Sequence, residues 1–231
     1  MTKYFPLMDH GNLRELFPGI FELTGSMKLF GLFKYSRNMH LLNTNDGVIL
    51  INPVRVSEPT LAEITKIGRI NHVYKLGQLH NVDVPFYVER FKPKVWKNKN
   101  DPTLPDIQGD YFFEDYDTLP ICGSKVYRFE DSKLAETVLI HPESGGILLS
   151  CDAYVNMGPD PMANFLTKTL SKLLPRPTYV GPNWVKIAKP SLETLKGILD
   201  FEFKNLMTAH GDAIIGDAYS EISTYLAKYR L

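Results

Sequence analysis

LMTAHGDAIIGDA (206–218) decides how this chain reads: an apolar run stops at His210 and turns at once on Gly211 and Asp212. An apolar strand that ends on a polar, metal-competent side chain is how an α/β scaffold presents a ligand at the rim of its core. Two other apolar runs end the same way. GILLSC (146–151) passes straight into Asp152, and NHVYKL (71–76) leads into the loop GQLHNVDVP (77–85), which carries His80 and Asp83. Strand ends converging on one edge of a sheet bring such side chains together. Neutral imidazoles and carboxylates suit zinc, manganese or iron, at roughly 2.0–2.2 Å for zinc. His80 and Asp83, spaced i and i+3, can face one side of a turn that enters a helix.

Working outward, NMHLLNT (38–44) and GVILINP (47–53) flank Asn45-Asp46-Gly47. Asp-Gly between apolar runs predicts a hairpin of adjacent antiparallel strands. SEPTLAEITKIG (57–68) reads as a helix, with Pro59 in its first turn, a Thr60/Glu63 capping box, Leu61, Ile64 and Ile67 on one face, and Gly68 at its end. FYVERF (86–91) predicts a short helix. The stretch 92–121 has no sustained period and reads as a long excursion around one short strand, with solvated lysines at 92, 94, 97 and 99. KVYRFE (125–130), ETVLIH (136–141) and GILLSC are strands, the last two joined by the turn PESGG (142–146). PMANFLTKTLSKLL (161–174) and SLETLKGILDFEF (191–203), the latter capped by Ser191, predict helices that pack on a sheet. NLMTAH (205–210) is the next strand. DAYSEISTYLAKY (217–229) closes the chain as a helix, with Ala218, Ile222, Tyr225 and Leu226 on one face. Strands with helices on both sides predict a layered α/β (α+β) arrangement, sheets inside and helices outside.

At 231 residues the chain is expected to form one domain around a single core. Lysine plus arginine equals aspartate plus glutamate at 26 each, so no global field recruits nucleic acid or an anionic membrane. Partners are therefore to be sought at a local site, with a small molecule as the expected ligand; oligomeric state is left open. Cys122 and Cys151 have neither CxxC nor other ligand-like spacing, and two cysteines make no disulfide framework. This favours a reducing, cytoplasmic setting. The start MTKYFPLMDHGN lacks the apolar run of a signal peptide, and no stretch approaches about 20 apolar residues, so a soluble, unanchored protein is expected.

Each candidate also has a plain structural reading. Asp83 is placed to cap the helix that begins near Pro85, Asp152 to hold the loop after its strand, and Asp217 to cap the last helix. His141 reads as a hairpin residue and His40 as a structural strand histidine, while His10 and His72 lack context. Tyr111, Phe112, Phe113 and Tyr116 read as packing, and Cys151 as core rather than nucleophile.

The runs NMHLLNTNDGVILINPV, LGQLHNVDVPFYVERF, ETVLIHPESGGILLSCDAYVNM and MTAHGDAIIGD resemble, in order and spacing, the metallo-β-lactamase fold superfamily. The last two are especially similar to a divergent branch of uncharacterised bacterial proteins that keep an aspartate after the "LL" strand and an AHGD-like ending. The resemblance covers about residues 20–228, leaving 1–19 as an N-terminal extension of a single domain over 1–231. It implies a four-layer αββα sandwich with its site at the edge between the sheets. The superfamily's first motif is H-x-H-x-D-H; with His80 at the second histidine, Gln78 stands at the first, Val82 at the aspartate and Asp83 at the last histidine, although the register can slip by two. The third-motif histidine belongs shortly before ETVLIH, where EDSKLA (130–135) has none and Lys133 is a poor replacement. Asp152 matches the bridging aspartate and His210 the final histidine.

The resemblance thus implies a degenerate site with at most one metal, a zinc, manganese or iron ion held by His80, Asp83, Asp152 and His210, with Asp83 as ligand or catalytic base. The expected activity is a metal-dependent hydrolase in which water attacks an ester, lactone, thioester or phosphoester. The alternative is a catalytically inactive pseudoenzyme, without metal, that uses the same fold for ligand binding or assembly. Iron-dependent redox chemistry ranks third.

Overall fold

The computed structural model describes residues 4–103, 111–113, 119–121, 123–173 and 179–230. Seven strands form one sheet in the order β1 (Arg14–Phe17), β2 (Ile20–Leu29), β3 (Phe33–Thr44), β4 (Gly47–Ile51), β5 (Ile70–Lys75), β6 (Lys94–Lys97) and β7 (Tyr111–Phe112). The first four are antiparallel; β4 to β7 run parallel. A second sheet is built from β8 (Lys125–Arg128), β9 (Thr137–His141), β10 (Ile147–Ser150) and β11 (Asn205–Thr208), in the order β11-β10-β9-β8, with β10 and β11 parallel.

Alternation along the strands explains why both sheets are covered on both faces. In β4, Ile49 and Ile51 point between the sheets, where they join Tyr74, Trp96, Leu139, Leu149 and Met207. Val48 and Leu50 point the other way, into a layer with α1 (Glu58–Ile67) and α2 (Val84–Phe91). All four side chains are fully buried, each worth about 1.5–3 kcal/mol, which is why GVILI reads as one continuous apolar run. In the second sheet Leu139, Ile147 and Leu149 face inward. Val138, Ile140, Leu148 and Leu206 face α4 (Pro182–Ala188), α5 (Leu192–Lys196) and α6 (Ala218–Lys228). The result is the four-layer αββα sandwich.

The Asn45-Asp46-Gly47 hairpin forms as expected, with His40 opposite Ile51 and Thr44 opposite Gly47. Other elements depart from the sequence reading. Helix α1 starts from Ser57, which makes no side-chain capping hydrogen bond, and no Thr60/Glu63 box forms because Thr60 lies buried inside the first turn. Lys97 is not a solvated loop residue: it ends β6, pairs in register with Lys75 and Phe112, and is buried. Residues 14–17, assigned to an N-terminal extension, form β1 on the edge of the large sheet. The helix expected over 161–174 is α3 (Phe165–Leu173); it lies against β3 of the large sheet as predicted, but Phe165 at its start is 84 % exposed and Leu166 is exposed beside it. Position 174, with Cys122 and Tyr116, lies outside the described residues. Helix α4 was not anticipated; at seven residues it is too short to show a period, although Trp184 and Ala188, spaced i and i+4, bury one face. Ser191 does cap α5, its Oγ accepting from Thr194 N at 3.0 Å, but the helix tightens into a 3-10 turn at 197–200. Among the described residues no helix is long and apolar enough to cross a membrane.

Candidate metal centre

The parallel pairing of β10 with β11 places Ser150 opposite Thr208. Asp152 and His210 each lie two residues further on, so the register alone sets them side by side. His80 arrives from the other sheet, in the loop after β5. The three side chains meet at the edge between the sheets. His210 Nε2 stands 3.2 Å from Asp152 Oδ1, His80 Nε2 stands 3.5 Å from the same oxygen, and the two Nε2 atoms are 3.2 Å apart. All three side chains are partly buried but keep an open side. Ligating atoms on a tetrahedral zinc at its usual bond lengths stand roughly 3.3–3.6 Å from one another, so this triangle has the dimensions of one face of such a site.

Neighbouring groups fix each corner. His210 Nδ1 faces Ser36 O at 3.1 Å; a hydrogen bond there turns Nε2 toward Asp152 and His80, the orientation in which a deprotonated Nε2 could bind a metal. Asn38 holds the turn that carries this histidine: its Nδ2 donates to Thr208 O at 3.0 Å and Gly211 O at 2.7 Å. Gly211 has φ +92°, and a Cβ there would collide with the carbonyl of Asn156, so only glycine lets the chain turn under His210. The Asp152 turn is held by Glu136, the residue just before β9. One carboxyl oxygen, Oε1, accepts from Asp152 N at 2.7 Å and from Ala153 N at 2.6 Å. Asn52, just beyond β4, ties the two sheets beneath the site: its Nδ2 donates to Ser150 O and its Oδ1 accepts from Leu76 N.

The charges form one pattern. Burial pushes the Asp152 carboxyl upward, but His80 and His210 outweigh it and hold the acid far below its ordinary value. Burial lowers His80, which stays neutral more readily than a free histidine. For His210 burial acts downward too, yet the Asp152 carboxylate and the Ser36 carbonyl outweigh it and favour the imidazolium. A carboxylate oxygen and two ring nitrogens thus point at one another within 3.5 Å.

The other sequence candidates separate from this trio. Asp83 is buried at the N-terminus of α2, where its Oδ2 accepts from the Arg37 guanidinium and from Arg55 N at 2.9 Å. Its carboxylate is committed to a buried ion pair, and it forms no side-chain cap on the helix. Gln78, placed by the resemblance at the first histidine of the motif, accepts from Ala135 N at 3.1 Å, in the segment where the third-motif histidine was expected. This hydrogen bond ties the loop after β5 to the segment that precedes β9. Cys151 packs between the sheets, and ligand atoms of His80, Cys151 and Asp152 lie within 4.8 Å of one another. Its thiol donates to Asp152 Oδ2 at 3.7 Å, and burial pushes its pKa well up, keeping it protonated. The remaining histidines have structural partners: His40 with Glu22, His72 with Asp46 and Trp96, His141 with Ser124, and His10 with Ser57 N. Phe113 is buried against Tyr74, consistent with packing.

Sequence reasoning missed Glu136, Asn38 and Asn52. Glu136 had one visible signal, an acidic residue opening an otherwise apolar strand. Asn38 and Asn52 bond to backbone groups far along the chain, which no local pattern encodes.

The chain is similar in structure to a mutant of a flavo di-iron protein from Thermotoga maritima, with a TM-score of 0.66 and 14% identity over 95% of this chain and 62% of that one. It is also similar to a metallo-β-lactamase from Pseudomonas aeruginosa in its mono-zinc form (TM-score 0.60, 11% identity, 96% and 97% of the two chains). A metallo-β-lactamase from Erythrobacter litoralis aligns at a TM-score of 0.59 and 11% identity over 94% and 96%. This is the metallo-β-lactamase fold. A scan of the sequence against family models and a search of the curated proteins find no match.

Proposed function

We propose that the chain is a metal-dependent hydrolase whose centre holds one divalent ion on His80, Asp152 and His210. The observation that carries this reading is the triangle of two imidazole nitrogens and one carboxylate oxygen, 3.2–3.5 Å on each side, with one face open. Two histidines and a carboxylate with an open fourth position are a donor set of catalytic zinc; manganese and iron take the same ligands. When bound, such an ion would supply Lewis acidity and strongly acidify a water, the chemistry of ester, lactone, thioester or phosphoester hydrolysis. Ser36 O fixes the ring of His210, Glu136 fixes the turn of Asp152, and Asn38 fixes the turn of His210, so the donors are preorganised. Asp83 is left out of the ligand set and of the base role because Arg37 engages its carboxylate.

A catalytically inactive scaffold is the second reading. It is favoured by the Gln78–Ala135 hydrogen bond and the Arg37–Asp83 pair, which spend on structure two positions that the resemblance assigns to a richer metal site.

Elemental analysis of protein purified without chelator, beside His210→Ala, separates the two. About one zinc, manganese or iron per chain, lost in the variant, is the expected result and justifies a screen of small esters and lactones. Less than about a tenth of an ion in both overturns the metallohydrolase reading.

A further inference from the structure

The β2–β3 hairpin projects a tip that the fold does not cover. Phe30 is 88 % exposed, and Leu29 and Leu32 are exposed on either side of it. Phe30 also adopts φ +51°, the left-handed region that a bulky aromatic side chain enters at a cost and that asparagine or glycine would enter readily. Helix α3 lies against β3. Asn164 Nδ2 donates to Leu32 O at 2.8 Å, which places exposed Phe165 and Leu166 beside the tip. Five large apolar side chains from two separate segments therefore face outward together, a concentration that single scattered surface residues do not produce.

The charges around this patch are mostly positive: Lys28, Lys34, Lys168 and Lys172 outnumber Asp9, which pairs with Lys34, and Asp160, which accepts from Ser36 N. Residues 26–37 and 161–173 contain no aspartate or glutamate, although the chain as a whole is neutral. Lys28 and Lys34 face each other directly across the β2–β3 ladder, a like-charge pairing that costs stability. Lys34 is offset by Asp9 at 2.5 Å. Lys168 and Lys172 lie along α3. A strained exposed phenylalanine, a like-charge cross-strand pair and two exposed apolar residues of α3 occur at one place.

We propose that the hairpin tip and α3 form a docking surface for a lipid bilayer with anionic headgroups. Phenylalanine and leucine side chains insert at the level of the acyl boundary while the lysines meet the headgroups, the division of labour of an interfacial element. The neutrality of the whole chain, which argues against membrane attraction, conceals this local excess. The surface also adjoins the metal centre. Strand β3 leads from the tip, through Tyr35, to Ser36, whose carbonyl faces His210. The surface stands without the hydrolase reading, since none of its residues is a proposed metal ligand.

The test is co-sedimentation of the full chain with vesicles of phosphatidylcholine alone, or of phosphatidylcholine containing one part in about three of phosphatidylglycerol. The expected result is partitioning about tenfold stronger onto the anionic vesicles, weakened by salt. Phe30→Asn combined with Phe165→Ser should lower it about tenfold again, and Lys28→Glu about fivefold on anionic vesicles only. Asparagine suits the left-handed turn and residue 165 is solvent-facing, so the double variant should melt no lower than the parent. Equal binding to neutral and anionic vesicles overturns the proposal, as does binding unchanged in the double variant. A concentration-dependent dimer that the double variant abolishes, with no vesicle binding, would assign the patch to a second copy of the chain.

Discussion

His80 Nε2 and His210 Nε2 face one another at 3.2 Å although 130 residues separate them in the chain. Two neutral imidazoles cannot share that distance lone pair to lone pair; a proton or a cation must lie between them. If the cation is a metal, chelation should destabilise the native state. An ion at a hundred times its dissociation constant contributes about 2.7 kcal/mol, a fall of roughly 5–10 °C in melting temperature for a protein of this size. Differential scanning fluorimetry with chelator, then with added zinc, reads the loss and its recovery; an unchanged melting curve counts against any tightly held ion.

Glu136 separates a hydrogen-bond role from a charge role. Its Oε1 accepts two buried backbone N–H groups, from Asp152 and Ala153. Glu136→Gln keeps an acceptor oxygen and should leave stability and metal content close to those of the parent. Glu136→Ala strands both donors, at about 1–3 kcal/mol each, and frees the turn that carries Asp152. Urea denaturation and metal titration of the two variants give the comparison.

Arg37 and Asp83 form a buried ion pair, and removing either partner leaves an uncompensated charge. Asp83→Asn and Arg37→Met should each cost about 3–5 kcal/mol, whereas Arg37→Met with Asp83→Leu should regain much of the loss. Metal content should be unaffected by Asp83→Asn. A proportionate loss of metal in that variant would return Asp83 to the ligand set.

Glu22 sets one acid limit of stability. Burial raises its carboxyl, but the hydrogen bond with His40 and the charges of His40 and Arg14 outweigh it, so the folded pKa lies below the ordinary 4.5. A depressed acid contributes stability that is fully present above its unfolded pKa and is lost as pH falls through the folded one. The melting-temperature gap between the chain and Glu22→Gln should therefore be widest near neutrality and should narrow once pH drops below about 4.5. A gap constant from pH 7 to pH 3 would show that the pair contributes packing alone.

Much of this architecture could be read from period and punctuation. GVILI and GILLS are apolar on both faces, which only a strand between two covering layers requires, and Asp46-Gly47 marks its own turn. Asp152 and His210 were legible because each follows an apolar run immediately, and the parallel register of β10 and β11 turns equal offsets in sequence into proximity. Asp83 misled because a carboxylate three residues from His80 looks the same whether it faces that histidine or an arginine 46 residues earlier in the chain. Phe165 misled for a different reason. Helical spacing of apolar residues signals an apolar face, but it does not say whether the chain itself supplies the surface that covers that face.

The two strand ends that supply Asp152 and His210 belong to one sheet, while His80 belongs to the other. No single sheet can assemble all three donors, so the centre comes into being only when the two sheets dock. The contacts it needs span 58 and 130 residues, long-range closures that come late in folding. A bound ion would then act as a clock for the last stage of folding, since its uptake during refolding would mark the moment at which the sandwich shuts.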